Sequence, residues 1–450
     1  MAEHNRHSGK TLIVGLGKTG LSCARYLTAQ GVALAVTDSR EAPPGLDDLR
    51  RDYPDMALFL GGFQPEVFQA ANQLVVSPGV PVSTPIIQAA RARGSEVLGD
   101  VELFARAARA PVVAITGSNG KSTVTTLLGE MARDAGVQVA VGGNLGEPVL
   151  ELLDDSVQLY VLELSSFQLE TTWSLKPSAS VVLNVSADHM DRYVDIDAYA
   201  GVKAGVYREA QTRVINRDDP RVAAMTGAHG KVLGFTLGAP QGEDFGVCEQ
   251  QGESWLCQGQ TPLLPVNALR IPGRHNQANA LAALALGSAV GLPMPGMLET
   301  LGKFPGLSHR TQWVADKLGL RWYNDSKGTN VGATLSALLG LDAGDDSRTV
   351  LIAGGDCKGA DFAPMAEVVE KTARAVILIG RDAPALAAVL EGRVQLLSAG
   401  SMTDAVMKAR DAARPGDRVL LSPACASFDM FRNFEDRGEA FVQAVEGLES

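Results

Sequence analysis

A repeating unit dominates the sequence: an apolar, β-branched run, then a glycine-rich turn, then an amphipathic helix. This order is typical of parallel α/β units, in which a strand leads into a helix that packs back on the sheet. The pattern begins three times, with the runs at 11–15, 112–116 and 350–353. It predicts an α/β fold of three domains, each built on a mostly parallel sheet.

Breaks in this pattern set the domain limits within the 450 residues. The segment 100–109 is interpreted as a helix that links the first block to the second, and the Pro/Gly-rich stretch at 305–306 ends the second block. Short alternating segments at 245–272 predict a small antiparallel addition to the second domain. The predicted domains are residues 1–99, 100–306 and 307–450.

The net charge of −11 argues against a general nucleic-acid or membrane binder, because such proteins present a basic face. The longest apolar run, 280–292, is too short and too rich in Ala and Gly to cross a bilayer, so it predicts a buried helix. The five cysteines are scattered and include no CxxC pair, which favours free thiols in a reducing compartment. We expect a cytoplasmic monomer that binds small molecules, with neither nucleic acid nor membrane as a partner.

The sequence Gly-Ser-Asn-Gly-Lys-Ser-Thr at 117–123 follows an apolar strand and opens a helix. In such a loop backbone N–H groups wrap a phosphate, the Lys121 ammonium neutralises it, and the Ser122 hydroxyl is placed to hold Mg²⁺. Two residues separate the glycines, whereas the general Walker A pattern has four. The alternative is a glycine-rich turn with a surface lysine, but the order of strand, loop, Lys-Ser and helix favours nucleotide binding.

A complete GxGxxG follows the first strand at 15–20, and Asp38 ends the next strand. Taken alone, this is a dinucleotide-binding fingerprint, and it makes an NAD-dependent oxidoreductase the rival hypothesis. The loop is less specific than that name, because it places any pyrophosphate at a helix N-terminus. Since the chain has a second phosphate loop, a nucleotide-linked substrate is the favoured ligand.

Polar side chains follow further strands of the second block. Glu163 ends an apolar strand, where a carboxylate beside a phosphate loop is placed to take Mg²⁺ like a Walker B acid, although it could also cap the next helix. His189, in Asp-His-Met-Asp-Arg at 188–192, is equally well explained as a metal or substrate contact and as a structural histidine. Lys203 lies in a helical stretch with small and apolar neighbours, and its residue pattern predicts an ordinary helix lysine on an exposed face.

Three polar loops follow apolar strands of the third block, at 324–330, 354–358 and 422–427. By themselves they are compatible with a binding edge and with nothing more specific. The sequence contains no HExxH, no Cys/His zinc spacing and no GxSxG elbow.

Together these motifs resemble the Mur ligases, ATP-dependent enzymes that form amide bonds in peptidoglycan precursors. The loop at 116–123 is similar to the short phosphate loop that this family shares with folylpolyglutamate synthetases, and the segments 324–330 and 422–438 resemble the branch that adds D-glutamate. The resemblance covers nearly the whole chain. It implies a Rossmann-like N-terminal domain, a P-loop ATPase-like central domain and a Rossmann-like C-terminal domain. It also implies three small-molecule substrates, namely ATP, UDP-N-acetylmuramoyl-L-alanine and D-glutamate, with two Mg²⁺ ions and an acyl-phosphate intermediate.

The resemblance further implies which residues form each site. The catalytic residues would be Lys121, Glu163, His189 and Lys203, with Lys203 carbamylated. Metal would be held by Ser122, Glu163, His189 and the modified Lys203. ATP would contact Gly117, Ser118, Asn119, Gly120, Lys121, Ser122, Thr123, Asn276, Asn279, Arg310 and Asp325. The UDP-substrate would contact Gly17, Lys18, Thr19, Asp38, Ser39 (where the family has Thr), Arg40, Gly79, Asn144 and His189. D-Glutamate would contact Lys327, Thr329, Lys358, Ser427 and Phe434.

An ATP-gated binding module is the second alternative. Such a switch needs the phosphate loop but has no need for the polar strand ends of the third block. ATP turnover that depends on both a UDP-sugar and an amino acid distinguishes a ligase from a switch.

Overall fold

The structure, a computed structural model, describes residues 10–449 except 226–229, 272, 343–345 and 358. The strands are β1 (Thr11–Val14), β2 (Leu34–Asp38), β3 (Ala57–Leu60), β4 (Gln73–Val76), β5 (Glu96–Leu98), β6 (Val112–Thr116), β7 (Val139–Gly143), β8 (Leu159–Glu163), β9 (Ala179–Val182), β10 (Thr212–Asn216), β11 (Lys231–Phe235), β12 (Phe245–Gln250), β13 (Glu253–Gln258), β14 (Thr261–Pro265), β15 (Gln312–Lys317), β16 (Leu320–Asn324), β17 (Thr349–Gly354), β18 (Ala373–Ile379), β19 (Gln395–Ser398) and β20 (Arg418–Leu421). The α-helices are α1 (Lys18–Ala29), α2 (Leu46–Asp52), α3 (Pro65–Gln69), α4 (Pro85–Ala92), α5 (Asp100–Ala107), α6 (Lys121–Asp134), α7 (Ser166–Leu169), α8 (Ile196–Ala204), α9 (Pro220–Ala223), α10 (Arg274–Ala289), α11 (Met294–Lys303), α12 (Val331–Leu341), α13 (Met365–Thr372), α14 (Ala383–Leu390), α15 (Met402–Ala412) and α16 (Phe434–Glu446).

The first sheet has the strand order β3-β2-β1-β4-β5, and its pairings are parallel. Side chains of β1 alternate between two buried clusters: Ile13 packs with α1 on one face, while Leu12 and Val14 pack with α3 and α4 on the other. The strand order reverses between β1 and β4. In open α/β sheets this reversal opens a crevice at the carboxyl edge, where ligands bind.

The second sheet has the order β14-β13-β12-β11-β10-β9-β6-β8-β7. It is parallel from β7 to β12 and antiparallel from β12 to β14, which confirms the predicted antiparallel addition. The predicted buried helix is confirmed as α10, in which residues 280–286 are fully buried. A helix that is apolar all round is stable only when it is covered on all sides.

The third sheet has the order β15-β16-β20-β17-β18-β19 and is parallel apart from the β15–β16 hairpin. Helices α12, α13 and α14 cover one face, and α15 and α16 cover the other. Within the described ranges, no helix is both long enough and apolar enough to cross a membrane.

Apolar packing joins the first two sheets but not the third. One buried cluster contains Leu21 of α1, Phe104 of α5 and Tyr160 of β8, so it crosses from the first sheet to the second. Among the described residues, the two clusters of the third sheet contain only positions from 314 onward. The third domain therefore has a core of its own, separate from the shared core of the first two.

The prediction of free thiols is wrong for four of the five cysteines. The structure pairs Cys248 with Cys257 and Cys357 with Cys425, while Cys23 is a buried free thiol. The first pair lies across the antiparallel strands β12 and β13, and the second flanks the backbone bridge between residues 356 and 426. Strand pairing brings these residues together, so their spacing in sequence gave no sign of it.

Glu102 attaches the linking helix α5 to the central domain. Its buried carboxylate accepts the backbone N–H groups of Trp173 (2.8 Å) and Ser174 (3.0 Å), the Ser174 hydroxyl (2.7 Å) and Arg106 Nε (3.1 Å). A buried carboxylate is stable when it is paired and hydrogen-bonded in this way.

We predict that Glu102→Ala destabilises the protein by about 2–3 kcal/mol, because it leaves the Trp173 and Ser174 N–H groups unpaired. The change is measured as a lower midpoint of thermal unfolding followed by circular dichroism. Arg109→Ala is the control, because it removes only an exposed ion pair with Asp155 (3.3 Å) and should leave the midpoint unchanged. Equal midpoints for the two variants would contradict the anchoring role of Glu102.

Candidate active site

The phosphate loop connects β6 to α6 at the carboxyl edge of the central sheet. Gly117 (φ +150°) and Gly120 (φ +83°) adopt backbone angles that favour glycine. A Cβ on Gly117 would lie 3.0 Å from Leu183 Cβ, and one on Gly120 would collide with Asn279 Oδ1. These contacts select glycine at both positions and leave the backbone free to approach an anion closely.

Lys121 lies over this loop. Its Nζ donates hydrogen bonds to the carbonyls of Gly117 (2.8 Å) and Ser118 (2.9 Å). Burial lowers the pKa of Lys121, against the opposing influence of Glu163. A lysine held by carbonyl oxygens can exchange them for the oxygens of a bound phosphate.

Glu163 ends β8, next to β6, and its carboxylate is buried beside the loop. Ser122 Oγ donates to Glu163 Oε2 (2.6 Å), and Asn144 Nδ2 donates to Glu163 Oε1 (2.7 Å). Burial raises the pKa of Glu163, but the Lys121 charge and these two hydrogen bonds outweigh it, so the pKa lies below its usual value. Asn144, assigned to the UDP-substrate from the sequence, thus lies against the phosphate-loop carboxylate.

The C-terminal domain reaches the same loop through Arg310, whose Nη2 donates to Ser122 Oγ (2.6 Å). Asp325, at the end of β16, accepts the Thr311 N–H (3.0 Å) and the Ser422 hydroxyl (2.7 Å), and so fixes the segment that carries Arg310. Burial raises the pKa of Asp325 to about 6.

Two cavities meet at this point. The first, of about 470 Å³, lies between the central and C-terminal domains. It is lined by Asn119, Gly120, Thr123, Asn276, Asn279, Arg310 and Asp325, all assigned to ATP from the sequence. The second, of about 690 Å³, is lined by Lys121, Asn144, Glu163, His189, Lys203, Lys327 and Thr329.

Lys203 differs from its sequence prediction, because it is 1% exposed and not on a solvent face. Tyr199, Ala200 and Lys203 form the buried face of α8. Lys203 Nζ donates to the Gly117 carbonyl (3.0 Å) and lies 4.4 Å from the centre of the Tyr199 ring. Burial, reinforced by the charge of Lys121, lowers the pKa of Lys203 well below its usual value.

His189 follows β9 and takes a left-handed backbone conformation, with φ +57°. Its ring packs edge-on against Phe167 at 4.8 Å between ring centres, and its Nε2 lies 3.7 Å from Asp188 Oδ2. Asp188 is close enough to Lys203 to raise the pKa of that amine, in opposition to burial. His189, Asp188 and Lys203 therefore lie on one side of the second cavity.

Apart from Asn144 and His189 of the central domain, the residues assigned to the UDP-substrate lie at or after the ends of β1, β2 and β4, which are neighbours in the first sheet. Ser77 Oγ donates to the Gly15 carbonyl (2.8 Å) across the point where the strand order reverses. Helix α1 begins at Lys18, so its N-terminus faces this crevice. Gly17, Lys18, Thr19, Ser39, Arg40 and Gly79 lie along this edge, outside both cavities.

Asp38 is 2% exposed and bonds to its own domain. One oxygen accepts the Leu16 N–H (2.7 Å) and Arg40 Nη2 (2.7 Å), while the other accepts Arg40 N (2.9 Å) and Nε (2.8 Å). Burial raises the pKa of Asp38, but the hydrogen bonds from Arg40 and Leu16 lower it to about 2. An acid at this position in a dinucleotide-binding domain bonds to the ribose, whereas this one holds the GxGxxG loop itself.

The residues assigned to D-glutamate come from three parts of the C-terminal domain. Lys327 Nζ lies 3.9 Å from the centre of the Phe434 ring, and burial lowers the pKa of Lys327 to about 8. Thr329 lines the second cavity, and Ser427 is buried after β20. Lys358 lies outside the described residues.

Sequence reasoning missed Arg437, which supports this region from α16. Its guanidinium is buried and donates to Ser326 Oγ (3.0 Å), the Ser326 carbonyl (2.8 Å) and the Cys425 carbonyl (3.1 Å). Asp188 was also missed as a site residue, although it directly precedes His189. Both lie inside motifs that the sequence had singled out, but only the folded chain shows what their side chains contact.

Three family models match the chain in order. They are "Mur ligase MurD-like, N-terminal domain" at residues 9–99, "Mur ligase middle domain" at 115–287 and "Mur ligase, glutamate ligase domain" at 309–425. The chain belongs to the Mur ligase family. As a member of this family, it is an ATP-dependent ligase.

Curated relatives extend the similarity over nearly the whole length. A UDP-N-acetylmuramoylalanine–D-glutamate ligase of Nitrosococcus oceani is 57% identical over 436 residues, which cover 97% of this chain and 96% of the relative. A protein of the same name from Pseudomonas fluorescens (strain Pf0-1) is 54% identical over 97% of this chain and 98% of its own.

Solved structures share the fold at lower identity. A pseudomurein peptide ligase type C from Methanothermus fervidus matches with a TM-score of 0.60 at 17% identity, covering 98% of this chain and 100% of that one. E. coli FolC, solved with DHPP and ADP, matches with a TM-score of 0.57 at 18% identity, covering 82% and 98%. The predicted three-domain α/β fold is confirmed.

We predict that Lys121→Ala lowers ATP turnover at least a hundredfold, since a lost charge at a transferring phosphoryl group costs several kcal/mol of transition-state stabilisation. Released phosphate is the measurement. Lys303→Ala is the control, because this lysine is exposed on α11 of the same domain and pairs with Glu299. Turnover of the Lys121 variant within a few-fold of that of the control would refute the role of the loop.

Proposed function

We propose that this chain joins D-glutamate to UDP-N-acetylmuramoyl-L-alanine, with conversion of ATP to ADP and phosphate, in the synthesis of peptidoglycan precursors. The observation that supports this most strongly is the meeting of two cavities at one phosphate loop, with residues of the C-terminal domain in both. A nucleotide cavity next to a second, polar cavity is the arrangement that phosphoryl transfer to an acceptor requires. The name carried by relatives more than 50% identical supports the choice of substrates.

The first step would transfer the γ-phosphoryl group of ATP to the substrate carboxylate, which is otherwise a poor electrophile. Two anions must approach each other, so the main task of the site is to offset their repulsion. Lys121 and Arg310 place positive charge beside Ser122, and Lys327 lies at the junction of the cavities. Electrostatics and positioning then supply the rate, with no protein nucleophile.

Mg²⁺, when bound, would add charge neutralisation at the transferred phosphoryl group. The Ser122 hydroxyl and the Glu163 carboxylate fit one ion, because they are 2.6 Å apart and provide the oxygen ligands that Mg²⁺ prefers. A second ion would be held on the side of the cavity formed by His189 and Lys203.

In the second step the amine of D-glutamate would attack the acyl phosphate, forming the C–N bond while phosphate leaves and the amine loses a proton. Lys327, Thr329, Ser427, Phe434 and Lys358 are the proposed amino-acid contacts. Lys327 and Thr329 line the part of the second cavity that the C-terminal domain contributes, while the central domain contributes the phosphate loop.

We also propose that Lys203 is carbamylated. Its amine nitrogen would attack CO₂, form an N–C bond and release a proton, which requires a neutral amine. Burial, which lowers the pKa of this lysine, favours that neutral form. The carbamate would convert a buried cation into an oxygen ligand for the second Mg²⁺ beside His189.

Several broader assignments complete this proposal. The domain limits 1–99, 100–306 and 307–450 are supported by the three separate sheets. A cytoplasmic location is supported by the proposed substrates, ATP and a nucleotide-activated sugar. The cysteines do not support it, because four of them are paired. We also propose that the protein acts as a monomer.

We predict that phosphate release from ATP requires both UDP-N-acetylmuramoyl-L-alanine and D-glutamate. We also expect titration calorimetry to show binding of the UDP-sugar and none of NAD(H), because Asp38 is engaged by Leu16 and Arg40. Turnover without the amino acid would support the ATP-gated switch, and micromolar NAD binding would support an oxidoreductase.

We predict that Lys203→Ala lowers ligase activity at least tenfold and that acetate restores part of it by occupying the vacated ligand position. In wild-type protein supplied with ¹³C-bicarbonate, NMR should show a carbamate signal that the variant lacks. Lys231→Ala is the control, because this exposed lysine pairs with Glu243 in the same domain. Full activity of Lys203→Ala would rule out the carbamate role.

A further inference from the structure

One side chain of the C-terminal domain contacts three separate segments. Asn330 directly precedes α12, and its Oδ1 accepts the Ala333 N–H (2.9 Å) as the N-cap of that helix. Its Nδ2 donates both to Asn119 Oδ1 in the phosphate loop (3.2 Å) and to Asp188 Oδ2 beside His189 (3.2 Å). Asn330 is 8% exposed, and its hydrogen bonds to Asn119 and Asp188 are partly buried.

Close packing at both ends of α12 holds the helix against the central domain. At its start, a Cβ on Gly332 would lie 2.9 Å from Ser186 Oγ and 3.5 Å from Asn119 Nδ2. Near its end, a Cβ on Gly340 would lie 2.9 Å from His275 Nδ1. Because α12 contacts the central domain at both ends, a shift of its N-cap requires the rest of the helix to move with it.

The partners of Asn330 are themselves part of the site. The Asn119 backbone N–H donates to Asn184 Oδ1 (2.8 Å), and the Asn119 side-chain Nδ2 donates to Ser186 Oγ (3.3 Å). These two hydrogen bonds restrain Asn119 further. Asp188 lies on the side of the second cavity that holds His189 and Lys203. The Asn330 amide thus joins two halves of the site that belong to different strands of the central sheet.

We propose that Asn330 is a positioning residue that couples docking of the C-terminal domain to the geometry of the phosphate loop and the Asp188–His189 segment. This inference rests on the proposed ligase function, because it concerns the same site. The role requires a side chain that accepts at one end and donates twice at the other. Asparagine meets both needs with one planar amide.

Two substitutions separate docking from helix capping. Serine and aspartate cap helices about as well as asparagine, so both should preserve α12. Asn330→Ser replaces the two N–H donors with a single hydroxyl on a shorter side chain, which cannot donate to both Asn119 and Asp188. Asn330→Asp places a second carboxylate against Asp188, where like charges repel. Asn330→Asp should therefore be the more damaging variant although its shape is nearly the same.

The experiment measures three quantities for each variant: kcat and KM by phosphate release, the thermal midpoint, and the radius of gyration by X-ray scattering with and without a non-hydrolysable ATP analogue. We expect kcat to fall about tenfold or more for Asn330→Ser, since one of the lost hydrogen bonds is to the charged Asp188 carboxylate. KM for the UDP-sugar should stay within about twofold and the midpoint within about 2 °C, because the cap and the N-terminal domain are intact. Wild-type protein should become more compact when the ATP analogue binds, and this change should be smaller in Asn330→Ser.

Ser401→Ala is the matched control. Ser401 caps α15 of the same domain by accepting the Asp404 N–H (3.2 Å), on the opposite face of the sheet. It should lower the midpoint and leave kcat and compaction unchanged. Wild-type kcat and compaction in Asn330→Ser, or a loss of kcat matched by an equal loss of folded protein, would overturn the proposal. If wild-type protein shows no ligase turnover, the proposed function fails, while the scattering comparison still tests the docking role.

Discussion

Four cationic side chains share one partly buried region around the phosphate loop, and this concentration of charge governs the rest of the site. Burial is the first cause of a lowered pKa for Lys121, Lys203, Arg310 and Lys327, and for three of them a neighbouring cation adds to it. Glu163 opposes the shift in each case. Such a cluster is costly by itself and is stabilised by a bound polyanion. The same positive charge that destabilises this region in the nucleotide-free protein thus favours nucleotide binding.

The shared core of the first two domains explains why this charge can be held in place. The cluster through α1, α5 and β8 fixes the GxGxxG edge relative to the phosphate loop, and Glu102 adds polar contacts at the linker. The third domain has a separate core and supplies Arg310 and Asn330 to the loop across its boundary. Two units with separate cores, one carrying the phosphate loop and one carrying Arg310 and Asn330, could move relative to each other as rigid bodies.

The sequence predicted the parts of this arrangement that depend on local pattern. The strand at 112–116 has the predicted limits, because an apolar β-branched run before a glycine-rich loop rarely forms anything other than a buried strand. Strands β4 and β5 were missed, since they are only four and three residues long and carry no clear alternation. The burial of Lys203 was missed for a different reason: its helix places it opposite the Gly117 carbonyl, a contact 86 positions away in the chain. The sequence was also insufficient to predict the contacts of Asp38. Its position at the end of the second strand fits NAD binding, but its carboxylate accepts hydrogen bonds from Leu16 of the GxGxxG loop and from Arg40.

The hydrogen bonds that Arg310 and Asn330 make to the central domain differ from buried ion pairs. Arg310 meets a hydroxyl at Ser122, and Asn330 meets an amide and a carboxylate, so none of these contacts is a buried pair of opposite full charges. A neutral hydrogen bond contributes about 1 kcal/mol and one with a charged partner roughly 1.5–3 kcal/mol, whereas breaking a buried ion pair by separation leaves uncompensated charge at a cost of about 3–5 kcal/mol. Hydrogen bonds of this strength fix the position of the C-terminal domain on the central domain without locking the two together. The phosphates of a bound nucleotide would add electrostatic attraction to Lys121 and Arg310, so we expect the nucleotide to strengthen docking of the third domain.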